Sequence, residues 1–259
     1  MKNGAKLITE GYHRDVERNA ALLIIGNEIL TGKIRDENTP FLARELFSLG
    51  IRLDRVIVCP DEIDIIARDL NELRKTHDLV FSSGGVGPTH DDVTLDAVAK
   101  AFDTPISRSE EMEWLIRLHF KERTTEDHLR MALLPSGARL IRAADISWPT
   151  VVIENVYVLP NVPEILRAKF QVIREELDRG EAFYNASVFT LAEEGAIASL
   201  LHDLTREFPS ILIGSYPQLP GKTDHRVRVT FDGRDAREVA AAADRFIEGL
   251  PEGKFLRRT

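Results

Sequence analysis

The segment Ser82-Ser83-Gly84-Gly85-Val86-Gly87-Pro88-Thr89-His90-Asp91-Asp92-Val93-Thr94 sets three glycines and two adjacent carboxylates between an apolar run, residues 78–81, and a helix-like run, residues 94–102. Glycine lets the main chain come close to a ligand. The free N–H groups at a helix start favour an anion, phosphate above all. Two carboxylates beside a phosphate would repel it unless a divalent cation sat between them. The chemistry this spacing predicts is a phosphorylated ligand held together with Mg²⁺, Mn²⁺ and Co²⁺ being the other candidates. Gly84, Gly85, Gly87, Thr89 and Thr94 are the expected ligand contacts, and Asp91 and Asp92 the expected metal contacts. The spacing is neither the dinucleotide pattern GxGxxG nor the phosphate-loop pattern GxxxxGK[ST], and the loop carries no lysine for a β- or γ-phosphate. Hydride transfer on a Rossmann fold is therefore not expected.

Three further loops follow apolar runs and each carries a carboxylate: Gly26-Asn27-Glu28-Ile29-Leu30, Cys59-Pro60-Asp61-Glu62 and Pro160-Asn161-Val162-Pro163-Glu164. Asp61 precedes a helix. It serves either as its N-cap or, with Asp92, as a group that shares a metal and activates a nucleophile. Asp36 reads as a helix cap or, with Asn38, as a ligand contact. Glu28 reads as a solvated loop acid and Glu164 as a first-turn acid. Of the seven histidines only His90 lies in these loops, and no pair has metal-ligand spacing on one helix, which argues against zinc. No G-x-S-x-G elbow is present. Trp114 and Trp148 read as packing residues.

The elements that must position these loops follow from periodicity. Residues 20–26 (AALLIIG) form a continuous apolar run, the pattern of a strand buried on both faces. Residues 39–49 are helical, with Phe41, Leu42, Leu46 and Leu49 near the 3.6 period. Residues 51–58 read as a strand, the segment from Asp61 as a helix with Ile63, Ile66, Leu70 and Leu73 inward, and residues 79–81 as a strand. This βαβαβα order predicts a parallel sheet covered by helices on both faces. A helix over 110–121 and strands over 139–142, 151–154 and 156–159 follow, then a helix to about residue 177. The remaining residues order as βαββα, a small α+β unit without a GxxG loop. Expected organisation is a flexible tail over 1–19, an α/β domain over 20–179 and the small domain over 180–259.

With 34 Lys and Arg against 42 Asp and Glu, the net charge is −8, which argues against a nucleic-acid partner. Cys59 is the only cysteine, so neither an intramolecular disulfide nor a cysteine-rich metal site is available. No run is apolar enough to span a membrane. Residues 1–19 lack the apolar core of a secretory signal, so a cytoplasmic location is expected.

At these residues a family resemblance emerges. Gly84 through Thr94, with Ala97-Val98-Ala99, is similar to the hallmark of molybdopterin-binding (MoaB/MogA-like) domains. Ile25 through Gly32, Asp36-Glu37-Asn38-Thr39 and Asn155 through Pro160 resemble the N-terminal domain of CinA proteins. They resemble still more the molybdopterin-binding-like half of eukaryotic FAD synthases, and Ile213-Gly214-Ser215-Tyr216-Pro217 fits that second group. The resemblance implies a three-layer α/β domain, forming a homo-oligomer, that binds a nucleotide or pterin pyrophosphate with a divalent metal. It matches Asp92 and Asp61 to two functionally essential aspartates, which points to them as the catalytic pair. It adds Ser215 as a candidate contact. The activity implied is metal-dependent hydrolysis of FAD or ADP-ribose at the pyrophosphate; molybdopterin adenylyl transfer and non-catalytic binding of a nucleotide or pterin are the alternatives. Asn27 stands where the family commonly has Asp, and Asn161 where it commonly has Gly.

Overall fold

The computed structural model describes residues 18–142, 148–177, 180–219 and 221–259. The expected tail lies mostly outside these residues, but its last position, Asn19, opens the first strand. In chain order the elements up to residue 177 are β1 (Asn19–Ile25), α1 (Asn27–Leu30), α2 (Asn38–Ser48), β2 (Arg52–Cys59), α3 (Ile63–Thr76), β3 (Leu79–Ser83), α4 (Thr94–Ala101), β4 (Ile106–Arg108), α5 (Glu110–Phe120), α6 (Glu126–Arg130), β5 (Leu133–Pro135), β6 (Arg139–Ile141), β7 (Thr150–Ile153), β8 (Val156–Leu159) and α7 (Pro163–Glu176). The main sheet runs β2-β1-β3-β8-β7-β6. Its first four strands are mutually parallel, and β7 and β6 continue it antiparallel.

Both faces of β1 are buried, as its unbroken apolar run requires. Ala21, Leu23 and Ile25 pack in one cluster with Ile66, Ala67, Leu70 and Leu73 of α3 and Ala97, Val98 and Ala101 of α4. Val80 and Val156 belong to that face, so Phe81 and Tyr157 project to the other. There the Phe81 ring lies 5.3 Å from Tyr157 and 5.9 Å from Phe170 of α7. Helices therefore cover both faces, the three-layer α/β architecture expected. Each buried Leu, Ile or Phe contributes about 1.5–3 kcal/mol, so this core and not the loops carries the stability.

Strand register decides which loops become neighbours. Ile25 pairs with Cys59, Ile24 with Ser83, and Ser83 with Leu159. Four strands thus end level at one edge, and the four acidic loops leave from it side by side.

The chain divides into two compact units. The first holds the described residues to Pro40 together with Ile51–Glu176, and the second holds Phe41–Gly50 with Leu177–Thr259. The second contains β9 (Tyr184–Thr190), α8 (Glu194–Glu207), β10 (Leu212–Pro217), β11 (Val227–Gly233), α9 (Ala236–Glu248) and β12 (Phe255–Arg258). Its sheet, β10-β11-β9-β12, is antiparallel throughout. Val188, Val229, Phe231, Ile197, Val239 and Phe246 form its core. The expected order βαββα is corrected to βαββαβ. The extra strand β12 is short and basic and has no alternation of its own, and its pairing with β9 makes it a strand.

Candidate functional site

The edge where β1, β2, β3 and β8 end is also a switch point. The chain runs from β1 to β2 on one side and then crosses back to β3 on the other side of β1, the reversal at which open α/β sheets bind ligands. A cavity of about 470 Å³ lies there, within the range of small-molecule sites, about 300–1,000 Å³. Glu28, Asp61, Asp91 and Asp92 line it together with Gly85, Gly87 and Thr89. Its remaining wall is largely apolar and includes Met112, Met131, Trp148 and Val151.

The glycine loop is held from beneath. Gly84 has φ of 116°, a region open to glycine, and a Cβ there would overlap the Ile25 carbonyl oxygen. Thr94 is buried, and its hydroxyl donates to the Gly84 carbonyl at 2.8 Å, while its main-chain N–H donates to the Gly85 carbonyl at 3.0 Å. Thr94 and Gly84 are absent from the cavity lining. Both residues support the loop, because the chain folds back on itself between them. Thr94→Val is expected to cost about 1–2 kcal/mol by stranding the Gly84 carbonyl. Urea denaturation of the purified variant measures it.

Asp92 is drawn into its own loop. Its Oδ2 accepts from the Thr89 main-chain N–H at 2.8 Å and from the Thr89 hydroxyl. A Cβ on Gly87 would stand 2.7 Å from the same oxygen, so the glycine leaves that carboxylate its place. Thr89 therefore orients an acid as well as lining the cavity. Asp91 is exposed at the cavity mouth.

Asp61 does not cap α3, whose N-cap is Glu62. Its Oδ2 accepts from the main-chain N–H of Asn27 at 2.8 Å, a consequence of the Ile25–Cys59 register. Burial pushes its carboxyl above the ordinary range. The Asn27 N–H opposes this, and the charges of Glu28, Asp91 and Asp92 add to it. Glu28 is no solvated loop acid, since its Oε1 accepts from Asn161 Nδ2 at 2.7 Å. Asn161 is held in turn by Asn38, whose Nδ2 donates to the Asn161 carbonyl at 2.9 Å and to Ser83 Oγ at 3.0 Å. A side chain at 161 thus couples the loop after β8 to the acid after β1. Among the described residues no group of three or more His, Cys, Asp or Glu is arranged to hold a metal ion.

The other expected contacts lie outside the cavity lining. Asp36 caps α2 through Oδ1, which accepts from the N–H groups of Asn38 and Thr39 at 2.9 and 3.1 Å. Asn38 is buried and acts through Asn161. Ser215 sits on β10 of the second unit, where its hydroxyl donates to Glu194 at 2.6 Å. His90 is almost fully exposed. Cys59 is buried, and burial pushes its thiol up to about 12, so it stays neutral.

Three residues at the site escaped sequence reasoning. Trp148 packs against Phe120 but also lines the cavity. Arg130 borders a smaller cavity of about 100 Å³ on the glycine loop, shared with Asp92 and Asp96. Lys169 on α7 lines the main cavity and is buried. Its signal was available: it stands between Leu166 and Phe170 on the helix face that Ile173 continues, an apolar stripe that rejects lysine by default.

Comparison with known proteins gives the family. A family model described as "Probable molybdopterin binding domain" matches residues 21–179, and one described as "FAD synthase, middle domain" matches residues 182–259. A protein of Archaeoglobus fulgidus is 34% identical over 88% of this chain and 96% of its own length. The "Probable FAD synthase" of Caenorhabditis elegans is 31% identical over 79% of this chain but only 45% of its own length, so the chain spans about half of that relative. The crystal structure of CinA from Thermoplasma acidophilum, a protein of unknown function, superposes with a TM-score of 0.58 at 29% identity, covering 61% of this chain and 97% of that one. The chain belongs to the molybdopterin-binding domain family of MoaB/MogA-like proteins, and its second unit is similar to the middle domain of FAD synthases.

Proposed function

We propose that this protein is a divalent-metal-dependent hydrolase of a nucleotide diphosphate of the FAD or ADP-ribose type. The observation that carries the reading is the convergence of Glu28, Asp61, Asp91 and Asp92 with the glycine loop on one cavity. Four acids without a cation between them are electrostatically costly; the carboxyl of Asp61 is raised first by burial, and the charges of Glu28, Asp91 and Asp92 add to that rise. The donor set suits Mg²⁺, which takes one or two carboxylates and completes its octahedron with substrate phosphates and water. A preformed protein cage is not required for that coordination.

Asp92 would hold the cation, with Asp91 beside it, and Asp61 would hold the attacking water. When bound, the cation polarises a phosphoryl oxygen and lowers the pKa of water. Asp61 keeps Oδ2 on the Asn27 N–H, which leaves Oδ1 to accept the proton of the attacking water. The water oxygen bonds to phosphorus as the bridging P–O bond breaks, and the pyrophosphate becomes two monophosphates. The main-chain N–H groups of Gly85 and Gly87 would meet the charge that develops on the phosphoryl oxygens. Asn161 would hold Glu28 clear of the incoming anion.

The test is a hydrolysis screen of FAD and ADP-ribose with Mg²⁺, Mn²⁺ and Co²⁺, with monophosphate products identified by mass spectrometry. Turnover that disappears with chelator is the expected result. Its absence across all three metals would overturn the reading. The family match favours molybdopterin adenylyl transfer as a second reading; it requires ATP to be consumed when molybdopterin is supplied.

A further inference from the structure

Lys169 is 6% exposed, and its Nζ donates to the carbonyls of Trp148 at 2.8 Å and Pro149 at 2.7 Å. No carboxylate among the described residues offsets its charge, and burial pushes its ammonium down to about 8. A buried ammonium without a counter-ion is costly, and this one lines the ligand cavity. Two protons are committed to the carbonyls, which leaves one of the three for another acceptor.

The sheet order places this cation relative to the acids. Asp61 follows β2, Glu28 follows β1 and the glycine loop follows β3. Trp148 and Pro149 precede β7, which lies two strands beyond β3. Two strand spacings are about 10 Å. Side chains on a helix lean toward its N-terminus, so Lys169 reaches back along α7 toward the same edge. The cavity is therefore bipolar, with acids and glycines at one end and Lys169 at the other. Val151, Val158, Met112, Met131 and Trp148 also line the cavity.

We infer that Lys169 anchors the ring end of the ligand, and that the ring is a flat heterocycle with a lactam or imide edge, as in an isoalloxazine or a pteridine, rather than an adenine. The inference rests on the diphosphate reading for the other end of the cavity. A phosphate at Lys169 would face two carbonyl oxygens and apolar walls with a single donor to hold it. A lactam edge suits both partners: its C=O accepts from Lys169, and its N–H donates to a free lone pair of the Trp148 or Pro149 carbonyl. The apolar residues and the Trp148 ring would cover the faces of a flat ring.

The test measures binding of FAD, riboflavin and ADP-ribose with Mg²⁺ present, using flavin fluorescence and calorimetry on the full chain. Lys169→Met keeps the length and removes the charge. It is expected to cut the preference for FAD over ADP-ribose by about tenfold or more, the loss of one charge-assisted hydrogen bond. An unchanged preference overturns the proposal. N3-methylriboflavin tests it without any variant: wild-type protein should bind it about tenfold more weakly than riboflavin, and equal binding sinks the lactam assignment. Wild-type protein that binds ADP-ribose but not riboflavin overturns the ring site and leaves the diphosphate reading standing. Binding of riboflavin without ADP-ribose does the reverse, and binding of neither overturns both.

Discussion

Asp92→Asn is expected to lower metal-dependent hydrolysis at least about 100-fold while the protein stays folded. Loss of about 3 kcal/mol of charge stabilisation accounts for that factor. The fold survives because an amide oxygen can still accept from the Thr89 N–H, and because Asp92 lies at the sheet edge, away from the β1–α3–α4 core. Asp61→Asn should fall equally far in activity and keep the Asn27 hydrogen bond. Its stability should differ from that of Asp92→Asn in a defined way. A carboxyl raised in the folded state binds protons more readily there than in the unfolded chain, so stability falls as pH rises through that carboxyl's range. In chelated protein the neutral side chain removes this loss, and Asp61→Asn should melt higher than wild type at pH 7 and gain little at pH 3. Steady-state kinetics with Mg²⁺ and thermal melts at the two pH values check both statements. Wild-type turnover in either variant would remove the acids from the mechanism.

Gly84→Ala is expected to cost about 3 kcal/mol or more, enough to lower the melting temperature by roughly 6–12 °C. Two effects add. The backbone at Gly84 has φ of 116°, and the new methyl would overlap the Ile25 carbonyl oxygen, which belongs to a strand buried on both faces and unable to retreat. Gly32→Ala separates the two. Gly32 also has positive φ, 69°, but nothing stands within 4 Å of its missing Cβ. That variant should lose only the conformational part, about 1–2 kcal/mol. Melting curves of the two side by side give the steric share by difference; equal losses would show that the Ile25 contact is unimportant.

Much of this molecule could be read from its residues in order. The run AALLIIG can only be a strand covered on both sides, and the alternation of such runs with 3.6-period stretches leaves a parallel α/β sheet as the economical solution. Glycine and acid clustering after β3 marked the loop, and the acids at 28, 61, 91 and 92 were all in view. Their roles were harder to read. Thr94 and Asn38 have the right chemistry for a ligand and sit in the right segments, yet the folded chain turns them inward to hold Gly84 and Asn161. Asp36 has a cap's position and performs a cap's task. β12 escaped because four residues carry no periodicity, and only pairing with β9 defines them.

Local pattern, then, determined the elements, their order and the chemistry of the glycine loop, because hydrophobic period and backbone permissiveness are properties of neighbouring residues. Which side chains face the cavity was decided by strand register and by helix rotation, and these are set by contacts between residues far apart in sequence. Register brings the Asp61 carboxylate to the Asn27 N–H across 34 positions. Helix rotation turns Lys169 from one lysine among many into a buried cation beside the carbonyls of Trp148 and Pro149.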